Sequence, residues 1–271
     1  MELQLTTPRK IEFDPETLTP GYGKLLAEPF ERGYGVTMGN AFRRVLLSSL
    51  PGAAVTALKI AGARHEFSTI PGVVEDVTDI ILNIKSLLVR LKVPGPKTIY
   101  LRAEKGPEVT AADITPDPDV EIMNPALHIA TLEGDALLDV ELTVKQGRGY
   151  ATAEQNTERD MPIGVIAIDS VFTPVQKVNF SVENARLGQW TEYDKLILEV
   201  WTNKTVGPEA AVAQAAGILR DHFDMLERAF MGAVSSAAGA RESASSVAAA
   251  ESASSTPDRR VEVSSGASVE G

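Results

Sequence analysis

Between Phe30 and Gly52 lies the stretch that most restricts what this chain can become: a glycine-spaced loop with Gly33, Gly35 and Gly39, a short helix, and then Leu50-Pro51-Gly52 as a stop. Proline cannot donate the next backbone bond and biases the preceding residue away from helical angles, while the glycine accepts the turn that follows. The residues after the glycine-spaced loop read as a short helix that stops at Leu50. In it Phe42, Val45, Leu46 and Ser49 line one face, Leu50 extends that face, and Arg43, Leu47 and Ser48 point elsewhere. A helix this short does not hold together alone in water, so its apolar face must be buried against a partner. Neither a dinucleotide fingerprint nor a P-loop matches the glycine spacing. The glycines read instead as a tight turn that needs positive φ or close backbone approach.

At 271 residues there is enough chain for one or two domains with a real core. The net charge of −11 argues against a main role in gripping phosphates, because that task needs a basic face and Lys and Arg form no dense run here. A place inside a nucleic-acid machine would therefore run through protein contacts. With no cysteine, disulfides and thiolate metal sites are excluded. The sequence holds no apolar run long enough for a membrane span, and Met1-Glu-Leu-Gln-Leu-Thr6 lacks the layout of a signal peptide, so the expected location is the cytoplasm.

Composition changes after Phe230. From Gly232 to Gly271 the chain is mostly Ala and Ser, without aromatic or leucine residues. Such a segment cannot offset an ordering cost of about 1–2 kcal/mol per residue, so residues 232–271 are expected to be a disordered tail, with at most a helical start over Gly232–Ala240. Upstream, Leu25–Glu28, Ala54–Ile60, Thr98–Ala103, Leu137–Val144, Val165–Ile168, Val175–Val182 and Leu196–Trp201 read as strands. Asp76–Leu91 has the cleanest amphipathic helical period. Gly207-Pro208-Glu209 opens a last helix with Val212, Ala215, Ala216, Leu219, Phe223, Leu226 and Phe230 at helical spacing.

Catalytic chemistry finds little footing. His65, His128 and His222 are far apart in sequence, so three convergent metal ligands are not expected; His65 reads as a hydrogen-bonded strand residue and His222 as a helix-face residue. Ser48 and Ser49 sit mid-helix, without the strand–turn–helix strain of a nucleophile elbow. Arg43 and Arg44 diverge by about 100° on their helix. They are either surface arginines pairing with Glu28 or Glu31, or an interface anchor whose planar fork takes carboxylates bidentately.

The Phe30–Leu50 segment resembles the N-terminal domain of the bacterial RNA polymerase alpha subunit family. His65–Thr69, Gly72–Asp76, Asn83–Lys85, Val109–Ile114, Gly147–Tyr150, Pro162–Gly164 and Asp194–Leu196 continue that resemblance in order, over about residues 1–231. The resemblance implies an α+β fold in which residues 1–50 and 171–231 form one discontinuous dimerisation domain and 51–170 an inserted, mainly β domain. It implies that the chain homodimerises through Phe42, Val45, Leu46, Leu219, Phe223, Leu226 and Phe230, the helix faces of two copies crossing. Arg44 and Leu47 would touch the beta subunit, and Lys85 and Ile168 the beta-prime subunit. Omega and sigma join the holoenzyme, DNA is met only indirectly, and no membrane is involved. The complex is a nucleotidyltransferase, with no catalytic residue, metal or cofactor expected in this chain and Mg and Zn only in partner subunits.

Two departures from the family pattern stand out. Nothing after Phe230 resembles the helical, DNA-touching C-terminal domain of a typical alpha chain, and Val165 stands where family members often carry arginine. Two other classes stay open on the residues alone. One is a free-standing dimeric transcription adaptor; the other is a ligand-binding α+β protein or enzyme that uses the inserted domain as a pocket.

Overall fold

In the computed structural model, which describes residues 7–104, 106–134, 136–187 and 190–253, strands dominate. The chain opens with β1 (Lys10–Phe13) and β2 (Tyr22–Glu31), and β2 turns Gly23, Leu25, Ala27 and Pro29 inward in the strand period of two. Helix α1 (Tyr34–Ser48) follows, and β3 (Pro51–Ile60) leads away from it. Next come α2 (Val77–Lys85), β4 (Val89–Leu91), β5 (Lys97–Ala103), β6 (Glu108–Thr110), β7 (Val120–Ile122), β8 (His128–Thr131) and β9 (Leu138–Arg148). After β10 (Tyr150–Ala151), α3 (Ala153–Asn156), β11 (Val165–Ala167) and β12 (Ser170–Val171), the long hairpin β13 (Val175–Leu187) and β14 (Trp190–Thr202) leads to α4 (Pro208–Ala253). The structure divides into two units, Met1–Leu219 and Arg220–Gly271.

Within the first unit the two larger antiparallel sheets build two cores, alongside the two-stranded pairs β10-β12 and β6-β8. One sheet runs β1-β2-β14-β13; the other runs β5-β9-β3-β4-β7, with β11 also pairing β3. Leu46 of α1 and Leu50, just beyond its end, pack on the first sheet with Leu25, Val178, Leu198 and Val200, and Ala211, Val212 and Ala215 of α4 join them. Burying Leu46 and Leu50 contributes about 1.5–3 kcal/mol each. In the second core Ile80 and Ile84 of α2 meet Leu58, Leu101, Val140 and Leu142. The fold is thus α+β, with a β domain inserted into the chain of the first.

Several elements differ from the sequence reading. Helix α1 begins at Tyr34, so Gly35 and Gly39 are helical and not part of a loop. Close approach accounts for them: a Cβ on Gly39 would lie 2.5 Å from the Phe180 ring, and one on Gly35 2.9 Å from Val182. Only Gly33, at φ +90°, needs the left-handed region. Helix α2 stops at Lys85, well before Leu91. There Leu88 donates its N–H to the Asn124 side chain at 2.8 Å, and Val89–Leu91 pair with Val120–Ile122 as a strand. Sheet pairing overrode a helical period that continued by coincidence. Gly52 lies in β3 and not in a turn, and His65 lies in a loop, bonded to Ser68 at 3.2 Å. Downstream, α4 continues past Ala240 to Ala253, in keeping with the helical propensity of alanine; 254–271 lie outside the described residues.

Candidate functional site

Three surfaces carry the residues singled out in the sequence. On α1, Arg43 and Arg44 are exposed and Leu47 is 36% exposed, so the Arg44–Leu47 edge, one turn long, faces outward. Glu28, a candidate partner for these arginines, lies opposite Lys10 in the β1–β2 register. Leu46 faces the other way. It is fully buried in its own chain, which corrects its assignment to an interface: the ridge that packs on the sheet must include it, leaving the half-buried Phe42 and Val45 at the margin.

The second surface belongs to α4. Leu219 is half-buried, whereas Phe223, Leu226 and Phe230 are 65%, 52% and 67% exposed. Their i, i+3, i+7 spacing places them on one side of a helix. Large apolar side chains this exposed on one side of a helix make it a candidate interaction face.

The third surface lies on the inserted domain. Lys85 Nζ reaches Asp169 Oδ2 at 3.0 Å, and Asp169 Oδ1 accepts the Ala153 N–H at 2.8 Å. The ammonium and that N–H hold the Asp169 carboxyl below the usual carboxylate range, and Tyr150 also bonds it. Partial burial, then the bond to Asp169, push the Tyr150 hydroxyl up. Ile168 directly precedes Asp169, but it is only 3% exposed and sits in the second core, which corrects its role as a contact residue. Its carbonyl accepts from the buried Asn156 at 2.7 Å, and Ser170 donates to the Val55 carbonyl at 2.7 Å, so the backbone under Asp169 is pinned. The continuous apolar run Val165–Ile168 gave no signal that Asp169, the next residue, meets Lys85.

His128 lies between Glu75 (3.0 Å) and Glu108 (3.3 Å), and His222 lies on α4. Among the described residues no group of three or more His, Asp or Glu side chains is placed to hold a metal ion, and no helix is long and apolar enough to cross a membrane.

Comparison with known proteins meets this geometry at several points. Residues 58–173, the span of the second sheet and α2, match the family described as RNA polymerase Rpb3/RpoA insert domain. The protein named DNA-directed RNA polymerase subunit alpha from Clostridium botulinum is 56% identical over 224 residues, 82% of this chain and 70% of that protein. The chain belongs to the RNA polymerase alpha subunit family. Another alpha subunit, from Symbiobacterium thermophilum, is 58% identical over 204 residues, 75% of this chain. The chain spans 65% of the length of that relative and of the one from Clostridium beijerinckii.

The residue that caps α1 was missed in the sequence. Gly33 offers no side-chain cap, yet Asp194 Oδ2, from β14, accepts the Gly33 N–H at 2.8 Å and the Gly35 N–H at 3.2 Å. A carboxylate at a helix N-terminus satisfies orphan donors and complements the helix dipole. The Asp194-Lys-Leu196 motif was visible, but its partner lies 161 residues away. Asp194→Ala is expected to lower unfolding stability by about 1–3 kcal/mol, read as a shift in urea midpoint at constant slope. An unchanged midpoint would show that the cap contributes nothing.

Proposed function

We propose that this chain is the scaffold on which a DNA-dependent RNA polymerase is put together. Two copies join through the apolar faces of α1 and α4. One protomer then offers Arg44 and Leu47 to the beta subunit, and the other offers Lys85 with Asp169 to beta-prime, Ile168 supporting that surface from beneath. Residues 1–50 and 171–231 make the assembly domain, and 51–170 the insert. In this reading the chain supplies no catalytic group to nucleotidyl transfer, and Mg and Zn belong to the larger subunits. Omega and sigma enter with those subunits, DNA is reached indirectly, and the setting is cytoplasmic.

The observation that carries the reading is the exposed Phe223–Leu226–Phe230 row on a helix whose earlier Ala211, Val212 and Ala215 are buried. Arginine, exposed here at a helix edge, is among the residue types enriched at interface anchors. The test is co-elution of the purified chain with separately produced beta subunit. Arg44→Ala is expected to weaken capture at least tenfold, about 1.4 kcal/mol, with dimerisation unchanged. Equal capture by wild type and variant would remove Arg44 from the beta site.

A further inference from the structure

Two cores linked through neighbouring strands need something to set the angle between them. The chain passes from the first core to the second between Leu50 and Ala53 and returns between Ile168 and Val175. These passages pack tightly at Gly52: a Cβ there would lie 1.8 Å from the Phe172 carbonyl oxygen. Two connecting strands running side by side between domains can act as a hinge. A further contact away from those strands is needed to stop it.

Arg90, on β4 of the inserted domain, makes such a contact. Its Nε and Nη2 both donate to the Thr205 carbonyl, at 3.0 and 2.5 Å, in the loop that leads into α4. That carbonyl is itself fixed. The Thr205 N–H and hydroxyl both donate to Asn203 Oδ1, at 3.0 and 2.5 Å, and the Asn203 N–H donates to the Pro174 carbonyl at 2.9 Å. Val206 packs on the first core, and Thr205 is 8% exposed. On the other side β4 is locked between β3 and β7, and Gln146 donates to the Leu91 carbonyl at 3.1 Å. Both ends of the grip are therefore rigid. A planar guanidinium with parallel donors transmits orientation, which a single rotatable donor does not.

The geometry points to Arg90 as a positioning residue, a latch that fixes the inserted domain against the first domain by gripping the Thr205 carbonyl. Its meaning for polymerase assembly rests on the function proposed above: Lys85 lies on the inserted domain and Arg44 on the first, so the latch keeps both surfaces in one rigid frame. The latch itself can be tested without any partner subunit, so failure of one idea is separable from failure of the other.

Because the chain has no cysteine, labels can be placed at will. Thr98→Cys on the exposed side of β5 and Ser181→Cys on β13 would carry spin labels, with labelled chain diluted into unlabelled chain so that distances are read within one protomer. The parent protein is expected to give one narrow distance distribution. Arg90→Ala is expected at least to double its width, and Arg90→Lys to broaden it partly. Glu121→Gln removes the exposed Arg90–Glu121 pair (3.3 Å) but spares the Thr205 grip, and should keep the parent width. An unchanged width in Arg90→Ala overturns the latch, as does equal broadening by Glu121→Gln. If Arg90→Ala does not fold, Arg90→Lys decides: broadening supports the latch and the parent width sinks it.

Discussion

Replacing Phe223 and Phe230 together by aspartate is expected to turn a dimer into a monomer while leaving the Met1–Leu219 unit folded. Both rings are about two-thirds exposed in the single chain, so the substitution removes no core contact there. In a joined pair each would be a central aromatic anchor, the class of residue that costs about 2 kcal/mol or more when lost from an interface. Each such loss is a factor of about 30 in dissociation constant. The carboxylates add a desolvation penalty that alanine would not. Sedimentation velocity at micromolar concentration reads the result, with near-unchanged far-UV circular dichroism as the check on folding. A double variant that still sediments as a dimer would remove this face from the interface. A parent chain that sediments as a folded monomer would remove the dimer.

Gly52→Ala should produce the largest loss of stability from a single added methyl group. The new Cβ would lie 1.8 Å from the Phe172 carbonyl oxygen and 3.0 Å from its carbon, and both are backbone atoms that cannot swing aside as a side chain would. The fit around Phe172 is already close: a Cβ on Gly147 would meet its ring at 2.7 Å, and Phe172 is 6% exposed. Either β3 or the returning strand must shift, straining the passages between the two cores. Overpacking of this kind costs about 3 kcal/mol. Gly217, helical and with nothing within 4 Å of an added Cβ, is the contrast. Alanine there should raise stability by about 0.5–1 kcal/mol in the isolated chain. Urea midpoints of the two variants, moving in opposite directions, check the argument. A Gly52→Ala midpoint within error of the parent would show that the strands part at little cost.

These expectations expose what local pattern could and could not say about the site. The apolar row of α1 was legible as a row, since spacing alone puts Phe42, Val45, Leu46 and Ser49 together. Its division into an inner ridge around Leu46 and an outer margin was not legible, because that depends on the sheet beneath. Ile168 differs: its residues alone read as a core strand position, where the structure puts it, and only the resemblance made it a contact residue. Lys85 read from its residues only as the polar face of a helix, and its Asp169 partner was not legible, because the pair meets across 84 residues of chain. The overlong α2 has a related cause. Leu87, Leu88 and Leu91 continue a helical period, and only the pairing of Val89–Leu91 with Val120–Ile122 makes that segment a strand.

By itself, the order of residues determined that α1 must bury one side, that it ends before Pro51, that α4 starts near Pro208 and that composition changes after Phe230. Each of these follows from covalent geometry, propensity or period within a few residues. The tertiary structure alone decided which carboxylate caps α1, why Gly52 has no side chain, where Arg90 finds an acceptor and which apolar residues remain uncovered. Such choices are made by groups far apart in the chain and close in space. Their free energies depend on distances of a few tenths of an ångström, which no periodicity encodes.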